Sequence, residues 1–294
     1  MMENQKQRKI SGGRRQIFTA LLLPMVLISF VAFVLPVARL IQMSFEESDV
    51  SGMLTGNYTS GNYPAFFTDG FNLDLITNSL VMSIVVTVTT LVFSFPVALY
   101  LFRISPAWRN ILFVITISPL LVSSVVRTYG WMIILGQSGL INNALIYSGV
   151  IVEPLRMVNN FLGVIIGLVE IMMPYMILSL IAGFGRLSAV YEEAAASLGA
   201  SAFTRFWRII LPLALPGIAL GCLLCFVLSV SSFITPKLLG GGRVYVLATE
   251  IYDQAIIQLQ WPKAATISVV VLIIFAIALF AYSWALRALD RRFS

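Results

Sequence analysis

EEAAASLGASAFTRFWRIILPLALPG, residues 192–217, interrupts an otherwise apolar chain. Two carboxylates lead into Ala, Ser and Gly, then into basic and aromatic residues, then into two prolines within an apolar run. The stretch 187–197, LSAVYEEAAAS, is rich in helix formers and lacks a breaker. Leu187, Val190, Tyr191 and Ala194 mark a weak apolar face at helical spacing. Gly199 is placed to end that helix in a left-handed cap. A second helical piece is expected from about Ser201. It carries Phe203, Phe206, Trp207 and Ile210 on one face, and Pro212 and Pro216 are expected to bend it. The pattern predicts a short helix, a turn and a return: a knob. Ala194, Ala195 and Ala196 have so little bulk that another protein's backbone can approach them closely.

The surroundings of this knob are those of a membrane protein. The chain has 294 residues, 59% hydrophobic and only 11% charged, where soluble domains carry about 25% charged residues. So little polar material cannot cover a water-soluble fold. The net charge of +6 does not point to nucleic acid, because the basic residues sit in the gaps between apolar runs rather than on one face. The absence of histidine excludes imidazole bases and His-ligated metals. Cys222 and Cys225 have the spacing of a redox or zinc pair but lie within an apolar run without a second ligand pair. They read as small residues facing lipid or core.

A bilayer-spanning helix needs about 20 apolar residues. Segments 17–42, 75–102, 111–135, 161–184, 209–233 and 264–286 qualify. The expected fold is therefore all-α, a polytopic membrane protein of six transmembrane helices. A basic tail at 1–16 and a short tail at 287–294 flank the membrane domain at 17–286, and the knob occupies 185–208. Lys6, Arg8, Lys9, Arg14, Arg15, Arg103, Arg109, Arg186, Arg205, Arg208, Arg287, Arg291 and Arg292 fall on one side. Arg156, Lys237, Arg243 and Lys263 fall on the other. Both termini and the knob are thus expected in the cytoplasm. Arg14–Arg15 resembles a twin-arginine export signal, but the first segment is too long for a signal core and shows no small-residue cleavage site, so it reads as an uncleaved helix. Pro24, Pro36, Pro96, Pro119, Pro174, Pro212, Pro216 and Pro262 lie in or beside the spans. They suggest bent helices around a pathway, where freed carbonyls find neighbours or water.

The knob resembles the EAA loop of ABC-importer permeases, the MetI-like family. The matching residues are Glu193-Ala194-Ala195, Gly199-Ala200 after Ser197-Leu198, Phe206, Ile209, Leu211-Pro212 and Pro216-Gly217. The resemblance implies a coupling helix that docks in a cleft of a separate ATP-hydrolysing subunit, with Glu192, Glu193, Ala194, Ala195, Gly199 and Ala200 at the contact. Glu193 would pair with or cap groups of the ATPase. No lysine in the chain follows a glycine, so a phosphate-binding G-K-[ST] loop is excluded and ATP hydrolysis falls to another chain. No cofactor is expected here; ATP and Mg belong to an ATPase dimer. The resemblance also implies a second permease subunit, a paralogue rather than a copy, an extracytoplasmic binding protein, and multi-pass residence among the lipids of a bacterial inner membrane.

SPLLVSSVVRTYGWMIILGQSGLINNAL (118–145) and the segment 236–268 look like permease subunits of spermidine/putrescine importers and related opine or amino-compound systems. This implies a small cationic substrate, with an opine, an amino acid derivative or a phosphonate as the alternative. Glu170 is an acid in mid-span and by default a functional candidate. It would face a cationic substrate or pair with Arg127, expected near the external end of the third helix. Arg127 would otherwise meet the binding protein. Tyr129, Trp131, Tyr175 and Phe233 would stack on an alkyl-ammonium chain or anchor helix ends at the interface. The acids outside, among them Glu46, Asp69, Glu250 and Asp253, suit a cationic substrate, or simply follow from basic residues being kept inside. A membrane-embedded enzyme is disfavoured by the lack of histidine, of paired intramembrane acids and of a metal cluster. A transporter driven by ion gradients is disfavoured because Glu170 is the one carboxylate near a midplane, and a sensor or structural protein would leave the knob unexplained.

Overall fold

The computed structural model describes the backbone of residues 2–49 and 54–293, and the side chains of 22–49, 54–185, 187, 188 and 190–287. Of the basic tails that contribute to the expected orientation, only Arg287 lies within the described side chains.

The element order is α1 (Met2–Ser44), β1 (Glu46–Ser48), β2 (Leu54–Tyr58), α2 (Asn62–Thr68), α3 (Gly70–Arg103), α4 (Pro106–Ile117), α5 (Ser124–Leu135), α6 (Leu140–Tyr147), α7 (Phe161–Gly183), α8 (Ala189–Ser197), α9 (Ala202–Arg205), α10 (Leu211–Val230), α11 (Ile234–Leu239), α12 (Leu247–Tyr252) and α13 (Trp261–Phe293). Five helical stretches among the described residues are long and apolar enough to cross a bilayer: within α1, α3, α7, α9 through α10, and within α13. One further stretch, α4 with α5 and α6, is long and apolar enough only as a bent pair.

That bend corrects the expectation of one continuous span over 111–135. α4 ends at Ile117, a tight turn covers Ser118–Leu121, and the chain leaves at 99° into α5 and α6. Pro119 has no N–H to donate, and Val122 and Ser123 are extended. Ser118, Ser123 and Ser124 offer competing side-chain hydrogen bonds. Arg127 consequently stands in the first turns of α5, just past the bend, rather than near the end of a long helix.

The core is a three-helix packing of α3, α7 and α10, with α13 packed on α10 and α1 laid against α13. Val86, Leu168, Met176, Leu180, Ala214 and Cys225 are among its buried residues. Removing such side chains from solvent or lipid gaps contributes about 25 cal/mol per Å² only where water is displaced; within the bilayer, close packing carries the association. Cys222 is half-buried and Cys225 buried, its Sγ 3.7 Å from the Met172 carbonyl.

Helices continue through Pro24, Pro36, Pro96, Pro174 and Pro216. Ahead of Pro212 the chain widens into a π turn over Phe206–Ile210, and Leu211 N–H reaches the Phe206 carbonyl. The wider turn gives the proline ring room against the preceding carbonyls. At the opposite end the expected external loop contains a small antiparallel hairpin, pairing Glu46 with Tyr58 and Ser48 with Leu54, followed by α2. The fifth span stops at Val230, so Phe233 lies outside it as the residue before α11.

Candidate functional site: the coupling loop and the polar pair

The knob is present in the expected form. Ser188 caps α8, its hydroxyl accepting the Val190 N–H at 3.3 Å. At the other end Gly199 has φ of +81°. Its N–H donates to the Ala196 carbonyl at 2.9 Å, and the Ala200 N–H donates to the Ala195 carbonyl at 3.0 Å. These two bonds are the paired closure of a Schellman cap. Ser201 then caps α9, accepting the Thr204 N–H at 3.2 Å. The two helices are thereby fixed around a turn of four residues, Leu198 to Ser201.

This geometry exposes apolar side chains outside the membrane spans and at the start of the fifth. Leu198 is 89% exposed and Phe203 73%, and Val190, Tyr191 and Trp207 are exposed beside them. Glu193, Ala194 and Gly199 are exposed, while Ala195 and Ala200 are half-covered. Clustered apolar groups on a polar-rimmed loop are the mark of an interaction surface.

The knob is tied to the core in two places. Arg103, the last residue of α3, donates to both carboxylate oxygens of Glu192 at 2.9 and 2.6 Å. Glu192 therefore has a partner within the chain, whereas Glu193 points outward. At the root, Phe206 meets Phe95 edge-on at 5.6 Å, and Phe184 meets Phe95 and Phe102 at 5.7 and 5.6 Å. Such pairs are worth about 0.5–1.5 kcal/mol each beyond their area. A push on α8 thus reaches α3 through an ion pair and through rings in edge-to-face contact. Reversing the charge at Arg103 (R103E) is expected to lower uptake about tenfold, the effect of roughly 1.4 kcal/mol in coupling. The double variant R103E/E192R is expected to recover most of it. Uptake by membrane vesicles carrying each variant checks this; equal loss in single and double variants would refute the link.

Just above the knob, α7 and α10 touch backbone to backbone. A Cβ built on Gly183 would lie 2.6 Å from Gly217 Cα, and one on Gly217 would lie 2.8 Å from both Gly183 Cα and the Ser179 carbonyl. Gly221, one turn on, faces the Met176 sulfur. The spacing GIALG, 217–221, is the small-xxx-small signal for close membrane-helix contact.

A second polar feature escapes a reading by charge alone. Ser79, Ser83, Thr87, Thr90 and Ser94 are buried along one face of α3. The hydroxyls of Ser83, Thr87, Thr90 and Ser94, and that of Ser229 on α10, have no hydrogen-bond partner among the described residues. Their recurrence at three and four residues was the available signal.

The mid-span acid Glu170 is paired. Arg127 Nη1 lies 3.6 Å from Glu170 Oε1, and Trp131 Nε1 donates to Oε2 at 3.4 Å. The side chains are 13% and 27% exposed. Arg127 Nε and Nη1 are buried without an acceptor at hydrogen-bond distance, so the guanidinium retains donors for another group. The break at Pro119 is what lets α5 bring Arg127 and Trp131 onto α7. Tyr175, a turn below, is packed against the core, and Tyr129 is exposed. Phe233 does not join them: it stacks on Tyr252 at 5.3 Å and 15°, next to the Lys237–Asp253 ion pair.

Apolar spans around a seam of hydroxyls, with an exposed capped knob held to the core helix by an ion pair, define a membrane permease subunit. The chain belongs to the family described as binding-protein-dependent transport system inner membrane component, whose model matches residues 79–294. It is 34% identical over 284 residues to the spermidine/putrescine transport system permease protein PotB of Haemophilus influenzae, covering 97% of this chain and 98% of that one. It is 33% identical to PotB of Escherichia coli, covering 88% and 94%. It is 30% identical to the inner membrane ABC transporter permease protein YdcU of Escherichia coli, covering 93% and 90%. The fold matches a crystal structure of a bacterial ABC transporter that imports the acidic polysaccharide alginate, with TM-score 0.71, 18% identity and coverage of 94% and 98%. It also matches the MetNI methionine ABC transporter, with TM-score 0.56, 17% identity and coverage of 74% and 95%.

Proposed function

We propose that this chain forms half of the translocation pathway of an ATP-driven importer in a bacterial inner membrane, carrying a polyamine such as spermidine or putrescine. The observation that carries the importer reading is α8 itself, exposed on its apolar and alanine faces, closed by Gly199, and tied to α3 through Arg103–Glu192. A cleft in an ATPase subunit fits such a knob, with Glu193 meeting its polar rim. ATP and Mg would act in that ATPase pair, and this chain would hold no cofactor. A second permease, a paralogue, would supply the other half. The isolated chain leaves room for it, since none of the apolar window of α1 is buried. An extracytoplasmic binding protein would deliver the substrate. The polyamine assignment is supported by similarity to permeases of that name along almost the whole chain.

The test is to purify the chain with its co-purifying subunits, place the complex in nanodiscs with binding protein, and measure ATP hydrolysis. Stimulation by spermidine or putrescine is expected. Stimulation by opines, amino acid derivatives or phosphonates instead would replace the substrate; absence of any ATPase would refute the importer reading.

Glu170 and Arg127 would line the route as a pair. Glu170→Gln leaves a largely buried guanidinium without its counter-charge, which costs about 1–3 kcal/mol. Uptake is expected to fall several-fold, and the melting temperature of the complex with it. The double variant E170Q/R127Q is expected to regain the melting temperature but not uptake. Full uptake by the double variant would reduce the pair to a structural role.

A further inference from the structure

At the end of the molecule opposite α8, a cavity of 580 Å³ opens between α2, the first turn of α3, α12 and the start of α13. It involves none of the helices that hold Glu170 and Arg127. We infer that this cavity binds the primary ammonium group of a free alkyl amine, an inference that rests on the polyamine reading above and gives that substrate an outer site.

The charge inside it is the first reason. Glu250 lines the cavity and is 7% exposed. Its Oε1 accepts the Gln254 Nε2 at 2.7 Å, and no cation pairs with it among the described residues. A buried carboxylate is ordinarily paired. Asp253 differs: Lys237 Nζ, from outside the cavity lining, holds both its oxygens at 2.5 and 2.7 Å. Asp69 differs too: it is exposed to solvent and caps α3, accepting the Phe71 N–H at 3.0 Å. The one basic group in the lining, Lys263, is exposed. Glu250 is the acid left to be matched.

The acceptor geometry is the second reason. With its amide nitrogen committed to Glu250, Gln254 keeps Oε1 buried and without a partner. A carboxylate and an amide oxygen side by side accept two of the three N–H bonds of an ammonium group. The third reason is the wall. Phe71 and Tyr245 meet edge-on at 5.6 Å and border the cavity, offering apolar surface to methylenes and ring faces to a cation. Carboxylate, carbonyl and aromatic wall together match an alkyl ammonium, whereas an anion would meet Glu250 unshielded.

The same chemistry has two sources: a free amine, or a lysine of a docked binding protein. Radiolabelled putrescine binding to the full complex in nanodiscs, without binding protein, separates them. Binding is expected for the wild type, at least about tenfold weaker for Glu250→Gln, which keeps the shape and the hydrogen bond to Gln254. Glu153→Gln, at an exposed acid outside the lining, is expected to bind as the wild type does. The melting temperature and size-exclusion profile of the E250Q complex should match those of the wild type, reporting an intact fold. Equal affinity in wild type and E250Q overturns the inference. So does a wild-type complex that binds no putrescine while E250Q weakens capture of the binding protein, which would assign the site to a lysine. If putrescine binds in an E250-dependent way but never stimulates hydrolysis in the complete importer, the transport reading fails and the site stands.

Discussion

Replacing Gly199 with valine is expected to abolish uptake while leaving the chain inserted in the membrane. The residue sits at φ of +81°, a conformation that costs an L-residue about 1–2 kcal/mol and a β-branched one more. No neighbour crowds the position, so the loss would come from the backbone alone. Valine would pull the turn out of the left-handed region and open the bonds from Gly199 to Ala196 and from Ala200 to Ala195. The last turn of α8 would fray, and Leu198 and Phe203 would lose their shared orientation. Three variants separate this from general damage. Gly199→Asn, which tolerates the left-handed region, is expected to retain most uptake. Gly185→Ala, in the same loop but without a positive φ or a close neighbour, should be silent. Glu193→Lys keeps the turn and reverses the exposed charge, and is expected to lose uptake as completely as Gly199→Val. The readout is vesicle uptake alongside capture of the ATPase by the tagged chain. Normal uptake by either Gly199→Val or Glu193→Lys would refute the coupling role.

The parts of this molecule that are local were legible in its residues; the parts that depend on distant contacts were not. Helix α8, its glycine turn and the restart at Ser201 follow from propensity, capping and one left-handed residue, and they stand within two residues of where the pattern puts them. Five spans follow from length and apolarity. The third did not, because apolarity is blind to direction: 111–135 is greasy on both sides of Pro119, and only the extended residues Val122 and Ser123 reveal a turn of 99°. That turn then decides the site, since it lays Arg127 and Trp131 against Glu170. The pairing of Glu170 with Arg127 was one of two open readings, and choosing between them needed α5 to be placed. Phe233 had two open readings, stacking on the substrate or anchoring a span's end; the span stops three residues sooner, and the ring stacks on Tyr252. Arg103 was read only as a topology marker. Its partner is 89 residues away in sequence, a separation no local pattern reports.

The largest loss of stability is expected from Gly217→Leu. Most substitutions in a membrane helix can point a new side chain into lipid or turn a flexible neighbour aside. Gly217 allows neither, because its missing Cβ faces the Gly183 backbone and the Ser179 carbonyl at 2.8 Å. Leucine would have to separate α7 from α10, the helices that enter and leave the coupling loop. Overpacking of this kind typically costs about 1–3 kcal/mol, and more where the obstacle is backbone. The expected result is a chain that inserts poorly or melts far below the wild type, with α8 no longer held against Arg103. Gly221→Ala provides the comparison. Its Cβ meets the end of the Met176 side chain, which can rotate away, so only a small drop is expected. Leu220→Ala, at an exposed position of the same helix, should change little. Thermal melting of the purified complex, followed by size-exclusion chromatography, orders the three. If Gly217→Leu melts with Gly221→Ala, the helices are not locked at this crossing, and motion at the knob would have to reach the core through α3 alone.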